Sequence, residues 1–227
     1  MREANKHVIV IGGGAAGIMA AISAGRCGAQ VTILERNPRI GKKILATGNG
    51  RCNFTNIEIH PDCYSGSNPE FITAALSYFG VSETIDFFEK LGIAHKVEEQ
   101  GKVFPMSDQA SSVLDVLMYE LNRIGVSIVT DTYVKGIGKV REKFKVIAEN
   151  GASYPCDKVI IATGGKAMPT SGSDGNGYQL AQSLGHRITP VFPGLVQLKL
   201  EGNFFKQIEG VKFFGTAGIL YHNTVLA

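Results

Sequence analysis

Charge of one sign is scarce in this chain of 227 residues: 23 Lys and Arg face 20 Asp and Glu, a formal net charge of +3. That surplus is too small to draw the chain to nucleic acid or to an anionic membrane surface. No basic block or interleaved aromatic stripe concentrates it. Long apolar runs are missing too. None reaches about 18 residues, so no membrane-spanning helix is expected. Cysteine is sparse: Cys27, Cys52, Cys63 and Cys156 form no C-x-x-C pair. This excludes a local dithiol relay and reads as free thiols in a reducing, cytoplasmic setting. The histidines (His7, His60, His95, His186, His222) are dispersed without metal-ligand spacing, so no metal site is expected. His60 and His95 read as surface or capping residues. Residues 1–6 run straight into the first apolar segment, which reads as leaving no room for a signal peptide. Hydrophobic residues at 44% and charged residues at 19% then describe an ordinary globular chain. Its length holds one full domain and part of a second.

Glycine, by contrast, is plentiful and placed with purpose. The apolar run Val8-Ile9-Val10-Ile11 leads into Gly12-Gly13-Gly14-Ala15-Ala16-Gly17, then an Ala-rich helical segment, then Val31-Thr32-Ile33-Leu34 and Glu35. Strand, glycine turn, helix, strand and acid make a dinucleotide-binding arrangement. Gly12 allows the tight turn off the strand. Gly14 lets a pyrophosphate approach the backbone, and Gly17 lets the helix lie close to the sheet. The first helical N–H groups, unpaired within the helix, attract that pyrophosphate. Glu35 lies 18 residues past Gly17, where a carboxylate meets a ribose diol. A plain βα turn needs far less glycine, since excess glycine costs backbone entropy.

Two more segments are expected at the same nucleotide. Strand 158–163 ends in Ala162-Thr163-Gly164-Gly165, bringing small side chains and backbone amides to the carboxyl edge of the sheet. The loop Thr47-Gly48-Asn49-Gly50-Arg51-Cys52-Asn53 offers backbone N–H groups to a flavin ring or ribityl chain. Arg51 in it is a candidate for offsetting negative charge on a reduced flavin. Cys52 reads as a small packed residue rather than a redox thiol. Asp174 reads as a helix cap in competition with a ligand role.

Periodicity predicts helices over 69–79, 82–91 (capped by Ser82), 110–124 and 178–184. It predicts a hairpin over 96–105, and strands over 126–130, 133–140 and 143–148. The pairs Phe87-Phe88 and Phe213-Phe214 read as core. Beyond Pro190 and Pro193 the pattern turns to short alternating segments, 195–198 and 211–214. The expected organisation is therefore a dinucleotide-binding domain over 1–190 and the start of a β-rich domain over 191–227.

The stretch 35–56, ERNPRIGKKILATGNGRCNFTN, resembles the hallmark of the BaiN/YhiN-type, aminoacetone-oxidase-like flavoproteins. Residues 101–107 (GKVFPMS), 159–166 and 172–186 agree in the same order. The resemblance implies an α/β fold: a Rossmann-like FAD-binding domain of glutathione-reductase type with an inserted, mainly β, second domain for substrate. It implies FAD as cofactor and redox chemistry on a small organic molecule, with NAD(P)H a candidate electron donor. Enone reduction and amine oxidation both fit. Carried over by position, Gly12, Gly14, Ala15, Ala16 and Gly17 match the phosphate turn, Glu35 the ribose acid, and Arg36 and the Val134 backbone the adenine edge. Lys43 and Thr47 to Asn53 match the flavin side, and Ala162, Thr163, Gly164 and Gly165 the second nucleotide motif. No catalytic side chain and no oligomeric state is implied. The family's returning Gly-Asp/Glu segment has no counterpart in 190–227, so the chain reads as a fragment ending in a β hairpin. The alternatives are an NAD-only reductase, a flavin- or NAD-binding module without catalysis, and an inactive piece of the flavoenzyme. The carboxylate at Glu35 argues against NADP, whose 2′-phosphate it would repel.

Overall fold

The computed structural model describes residues 6–66, 68–194, 202–211, 218, 220–222 and 224–225. Two compact units divide the chain, residues 1–189 and 190–227.

The first unit opens with β1 (His7–Ile11), α1 (Ala15–Arg26) and β2 (Gln30–Leu34). A polar connection leads through β3 (Thr55–Asn56), α2 (Phe71–Tyr78), α3 (Val81–Lys90), β4 (His95–Val97) and β5 (Lys102–Pro105) to α4 (Ala110–Arg123) and β6 (Ser127–Val129). The antiparallel strands β7 (Val134–Val140), β8 (Lys143–Ala148) and β9 (Ser153–Cys156) follow, then β10 (Lys158–Ile161) and α5 (Asn176–Ser183).

Four strands make one parallel sheet in the order β10-β1-β2-β6. Parallel strands are covered on both faces, so they read as unbroken apolar runs, and the period of two in β1 divides its side chains between two cores. Val8 and Val10 face α1 and α4, packing with Ile18, Ile22, Val113 and Leu121. Ile9 and Ile11 face the β7-β8-β9 meander and α5, packing with Val134, Val146 and Leu180. Each such side chain, fully buried, contributes about 1.5–3 kcal/mol. The chain leaves β1 toward α1 on one face and reaches β10 by way of the meander on the other. The carboxyl ends of β1 and β10 therefore flank the point where the sheet order reverses, the place where open α/β sheets bind ligands. A third sheet, β3-β5-β4, carries the hairpin. Among the described residues no helix is long and apolar enough to cross a membrane.

Most predicted elements are present, with differences at their ends. The helix expected from Ser82 starts one residue earlier and is capped from Gly80, whose N–H donates to Glu83 Oε2 at 2.9 Å. The N3 carboxylate satisfies the N–H of the cap residue itself, the reciprocal half of a capping box. The helix expected from Tyr178 begins at Asn176, and the one expected from Pro69 at Phe71. The strands β3 and β9 are additional: β3 has only two residues, too few to show a period, and β9 contains Pro155, a residue that argues against a strand in sequence. In residues 190–227 a 3-10 segment spans Asn203–Ile208, and β11 (Leu220–Tyr221) pairs antiparallel with β12 (Thr224–Val225). The segment expected at 195–198, and that expected at 211–214 apart from Val211, lie outside the described residues.

Glu120 ties the first face together. Its side chain on α4 is 2% exposed and accepts from Arg26 Nε of α1 at 2.8 Å and Arg123 Nε at 2.6 Å. Hydrogen bonding from Arg123 is the largest influence; it overcomes burial and, with Arg26, lowers the carboxyl to about 2. A depressed carboxyl stabilises the fold above its ordinary value and loses that contribution as pH falls through its folded value. Glu120→Gln is expected to cost about 2–3 kcal/mol at pH 7 in urea unfolding. The variant's stability should also change less than the parent's between pH 4.5 and about 2.

Candidate functional site

The glycine turn is built by close approach. Gly12, at φ 103°, ends β1 with its N–H on Leu34 O at 2.8 Å, and a Cβ there would lie 2.5 Å from Ala162 O. A Cβ on Gly17 would run into Gly12 O, so α1 rests on the turn only because that position is bare. Gly14 is the opposite case: nothing lies within 4 Å of where its Cβ would be. The backbone there faces open space. Gly14 caps α1 without any side-chain hydrogen bond, which leaves the first N–H groups of the helix, and the positive end of its dipole, to a ligand.

Glu35 stands at the end of β2 beside this turn, 6% exposed. Its Oε2 accepts from Gly13 N at 2.7 Å, and its Oε1 from Asn37 N at 2.8 Å and Asn37 Nδ2 at 2.7 Å. No cation pairs with it among the described residues. The carboxylate is thus oriented by three donors, and Oε2 keeps acceptor capacity for a sugar hydroxyl.

A cavity of about 670 Å³ opens over the turn, within the range of small-molecule sites. Of the residues expected at a cofactor, Gly12, Gly14, Ala15, Ala16, Glu35, Lys43, Thr47, Cys52, Asn53, Ala162, Thr163 and Gly164 line it. Gly17 lies beneath the turn, and Gly165 lies off the cavity beside Tyr178. The middle of the polar loop is a correction: Gly48, Asn49, Gly50 and Arg51 do not line the cavity. Thr47 is extended at ψ 150°, and Gly48 and Asn49 are both left-handed at φ 56°. The chain therefore everts between Thr47 and Cys52, leaving Asn49 and Gly50 exposed. Arg51 is drawn outward by Glu98 at 2.9 Å and Asp108 at 3.4 Å, with its guanidinium over the Phe104 ring at 4.0 Å. Its charge is matched by those two carboxylates.

The space beside the residues expected at adenine is small. Arg36 and Val134 line a second space of only about 30 Å³, room for a water and not a purine. Arg36 lies over the Tyr133 ring at 4.7 Å and pairs with Asp174 at 2.6 Å. The Val134 carbonyl accepts from Asn176 Nδ2 at 3.2 Å. Asp174 also accepts from Asn176 N at 3.1 Å. Burial raises its carboxyl, but the Arg36 and Asn176 hydrogen bonds outweigh that and hold it below its usual value.

Sequence reasoning missed the rest of the lining: Asn37, Lys42 and Ser171–Ser173 near the turn, and an apolar end including Met19, Phe87 and Phe88. Asn37 sits two residues beyond Glu35, a signal the spacing carries. The apolar end carries none, because residues that line a cavity and residues that fill a core have the same composition.

An α/β dinucleotide-binding protein of Rossmann type is what this sheet, turn and acid define. The profile of the HI0933-like protein Rossmann domain matches residues 6–218, and the chain belongs to that family; the resemblance read from its motifs is borne out. A 3-dehydro-bile acid delta(4,6)-reductase from Clostridium scindens is 49% identical over 220 residues, 96% of this chain and 53% of the relative. A ribosomal RNA dihydrouridine synthase from Escherichia coli is 34% identical over 88% of this chain and 50% of its own. The chain spans about half the length of the curated relatives it matches. Among solved structures, a 3-ketosteroid-delta4-(5alpha)-dehydrogenase from Rhodococcus jostii shares the fold at TM-score 0.59 and 18% identity, over 82% of this chain and 55% of that one. A flavocytochrome c3 fumarate reductase shares it at TM-score 0.53 and 18% identity, over 80% and 41%.

Cys52 borders the cavity and is buried; burial pushes its thiol above the ordinary value, against a hydrogen bond with Thr47. Burial likewise raises Cys156, whereas Cys27 and Cys63 are exposed. At pH 7.5 a disulfide reagent is expected to label Cys27 and Cys63 quickly, and Cys52 and Cys156 only on unfolding. Fast labelling of Cys52, read by peptide mapping, would contradict this.

Proposed function

We propose that this chain forms the FAD-binding part of an oxidoreductase that reduces a carbon–carbon double bond conjugated to a carbonyl, in a small organic substrate. The observation that carries the reading is the continuity of one cavity. It runs from the bare start of α1 and Glu35 to Thr47, Cys52, Asn53 and the Ala162–Gly164 backbone. A pyrophosphate and ribose account for the first part; a flavin carried past the edge of the sheet accounts for the second.

The turn fits the group: the free N–H groups after Gly14 match two linked phosphates, and Glu35 matches a ribose diol. Lys42 and Lys43 add positive charge beside the phosphates, with Lys43 Nζ held 3.3 Å from Ser173 Oγ. Arg36 and the Val134 backbone would border adenine once the Arg36 side chain swings off Tyr133. Bound flavin supplies two-electron transfer that the side chains cannot. Overall, a hydride equivalent reaches the β carbon and a proton the α carbon, and a reduced nicotinamide is oxidised.

The names of the relatives support reduction over amine oxidation. A delta(4,6) 3-keto steroid and a uracil ring share a double bond conjugated to a carbonyl. Identity of 49% to the bile acid reductase against 34% to the RNA enzyme, and a net charge of only +3, favour a free small molecule over RNA.

Purified protein is expected to be yellow and to release FAD on denaturation. It should oxidise NADH or NADPH in the presence of a steroid enone such as 4-androstene-3,17-dione, with little turnover of uridine-containing RNA or primary amines. A colourless preparation retaining NAD would sink the reading. Glu35→Ala is expected to weaken FAD binding about 10- to 100-fold, the worth of one or two hydrogen bonds to a charged group. Isothermal titration measures this, with Glu35→Gln controlling for the lost tie to Gly13.

A further inference from the structure

The cavity has two ends of opposite chemistry. The charged side chains that line it are Glu35, bonded to the glycine turn, and Lys42 and Lys43, which reach the Thr170 carbonyl and the Ser173 hydroxyl. The other end has none: Met19 of α1, Phe54, Phe87 and Phe88 beside and within α3, and Val113 and Leu117 of α4 form its walls. Its one polar side chain, Thr84, gives its proton to Gly80 O at 2.7 Å and keeps only acceptor capacity. The walls are firm. Val113 is 0% and Leu117 3% exposed, and Phe88 meets Phe54 at 4.7 Å and Phe87 at 5.3 Å between ring centroids. Phe79, 42% exposed, stands at the rim 6.4 Å from Phe87.

Such a wall donates no hydrogen bond and offers at most one acceptor, so a polar ring entering it loses most of its water without replacement. An apolar ring system loses nothing and gains contact with aromatic faces. The wing is continuous with the Thr47–Asn53 side of the cavity through Cys52, Asn53 and Phe54.

We propose that this apolar wing is the substrate-body pocket. It takes the fused apolar rings of a conjugated ketone, keeps the reacting double bond toward the Cys52–Asn53 wall, and selects against a nucleotide. The inference rests on the reductase reading for its chemistry but not for its binding.

The chain contains no tryptophan, so Phe88→Trp places a single fluorophore in the wing. In FAD-loaded Phe88→Trp protein a steroid enone is expected to change the emission saturably, and uridine to leave it unchanged. Phe79→Ala at the rim is expected to raise KM for the steroid enone about tenfold, more than for methyl vinyl ketone, with FAD content retained. Competition between enone and FAD for the tryptophan signal would assign the wing to the cofactor and overturn the proposal. An equal response to uridine, or none to the enone, would overturn it as well. A preparation that takes up no FAD defeats the reductase reading instead, while enone titration of that same protein still decides the wing. Should Phe88→Trp fail to fold by circular dichroism, Phe54→Trp gives the same readout.

Discussion

The hydrogen bond from Gly13 N to Glu35 Oε2, 2.7 Å long, joins the ends of the two central strands. Around it the site is organised. It exists because Gly12 turns the chain back across β1, bringing the next N–H over the end of β2. Asn37 then fixes the other carboxylate oxygen from two donors. A buried carboxylate without such donors would be costly; with them it becomes an oriented acceptor facing the space above α1.

The same turn explains why the helix is bare at its start. A side-chain cap on α1 would satisfy the first N–H groups and compete with any anion placed there. Gly14 supplies none, and its surroundings are empty. Capping is thus traded for ligand recognition at α1. At α3 the Glu83 carboxylate takes the Gly80 N–H, whereas α2 and α4, like α1, have no side-chain hydrogen bond at the N-cap. The rest of the unit braces this point: the meander and α5 from one face, and α1 with α4, locked through Glu120, from the other.

The polar loop shows how local signals mislead. Glycine and asparagine near an arginine suggested a ring-binding surface facing one way throughout. The left-handed pair Gly48-Asn49 instead splits the loop, so Thr47, Cys52 and Asn53 face the cavity and Arg51 faces Glu98 and Asp108. Those carboxylates lie 47 and 57 residues away, so no local pattern connects them to the arginine. Their carboxyls are held below the usual values, chiefly by hydrogen bonds from Lys96; the cluster is balanced in charge and has no need of an anionic ligand.

What the sequence alone determined was the part set by short-range geometry. The order β1, glycine turn, α1, β2 and Glu35 follows from period, conformational freedom and spacing within 30 consecutive residues, and so does the hairpin around Gln100-Gly101. What tertiary structure decided was everything that depends on which distant residues meet. That includes the contacts of Arg36 beside Val134, the outward turn of Arg51, and the apolar wing assembled from α1, α3 and α4. The physical reason is that a side chain's periodicity tells which face it occupies, whereas its partner across that face is chosen by packing and charge from the whole chain.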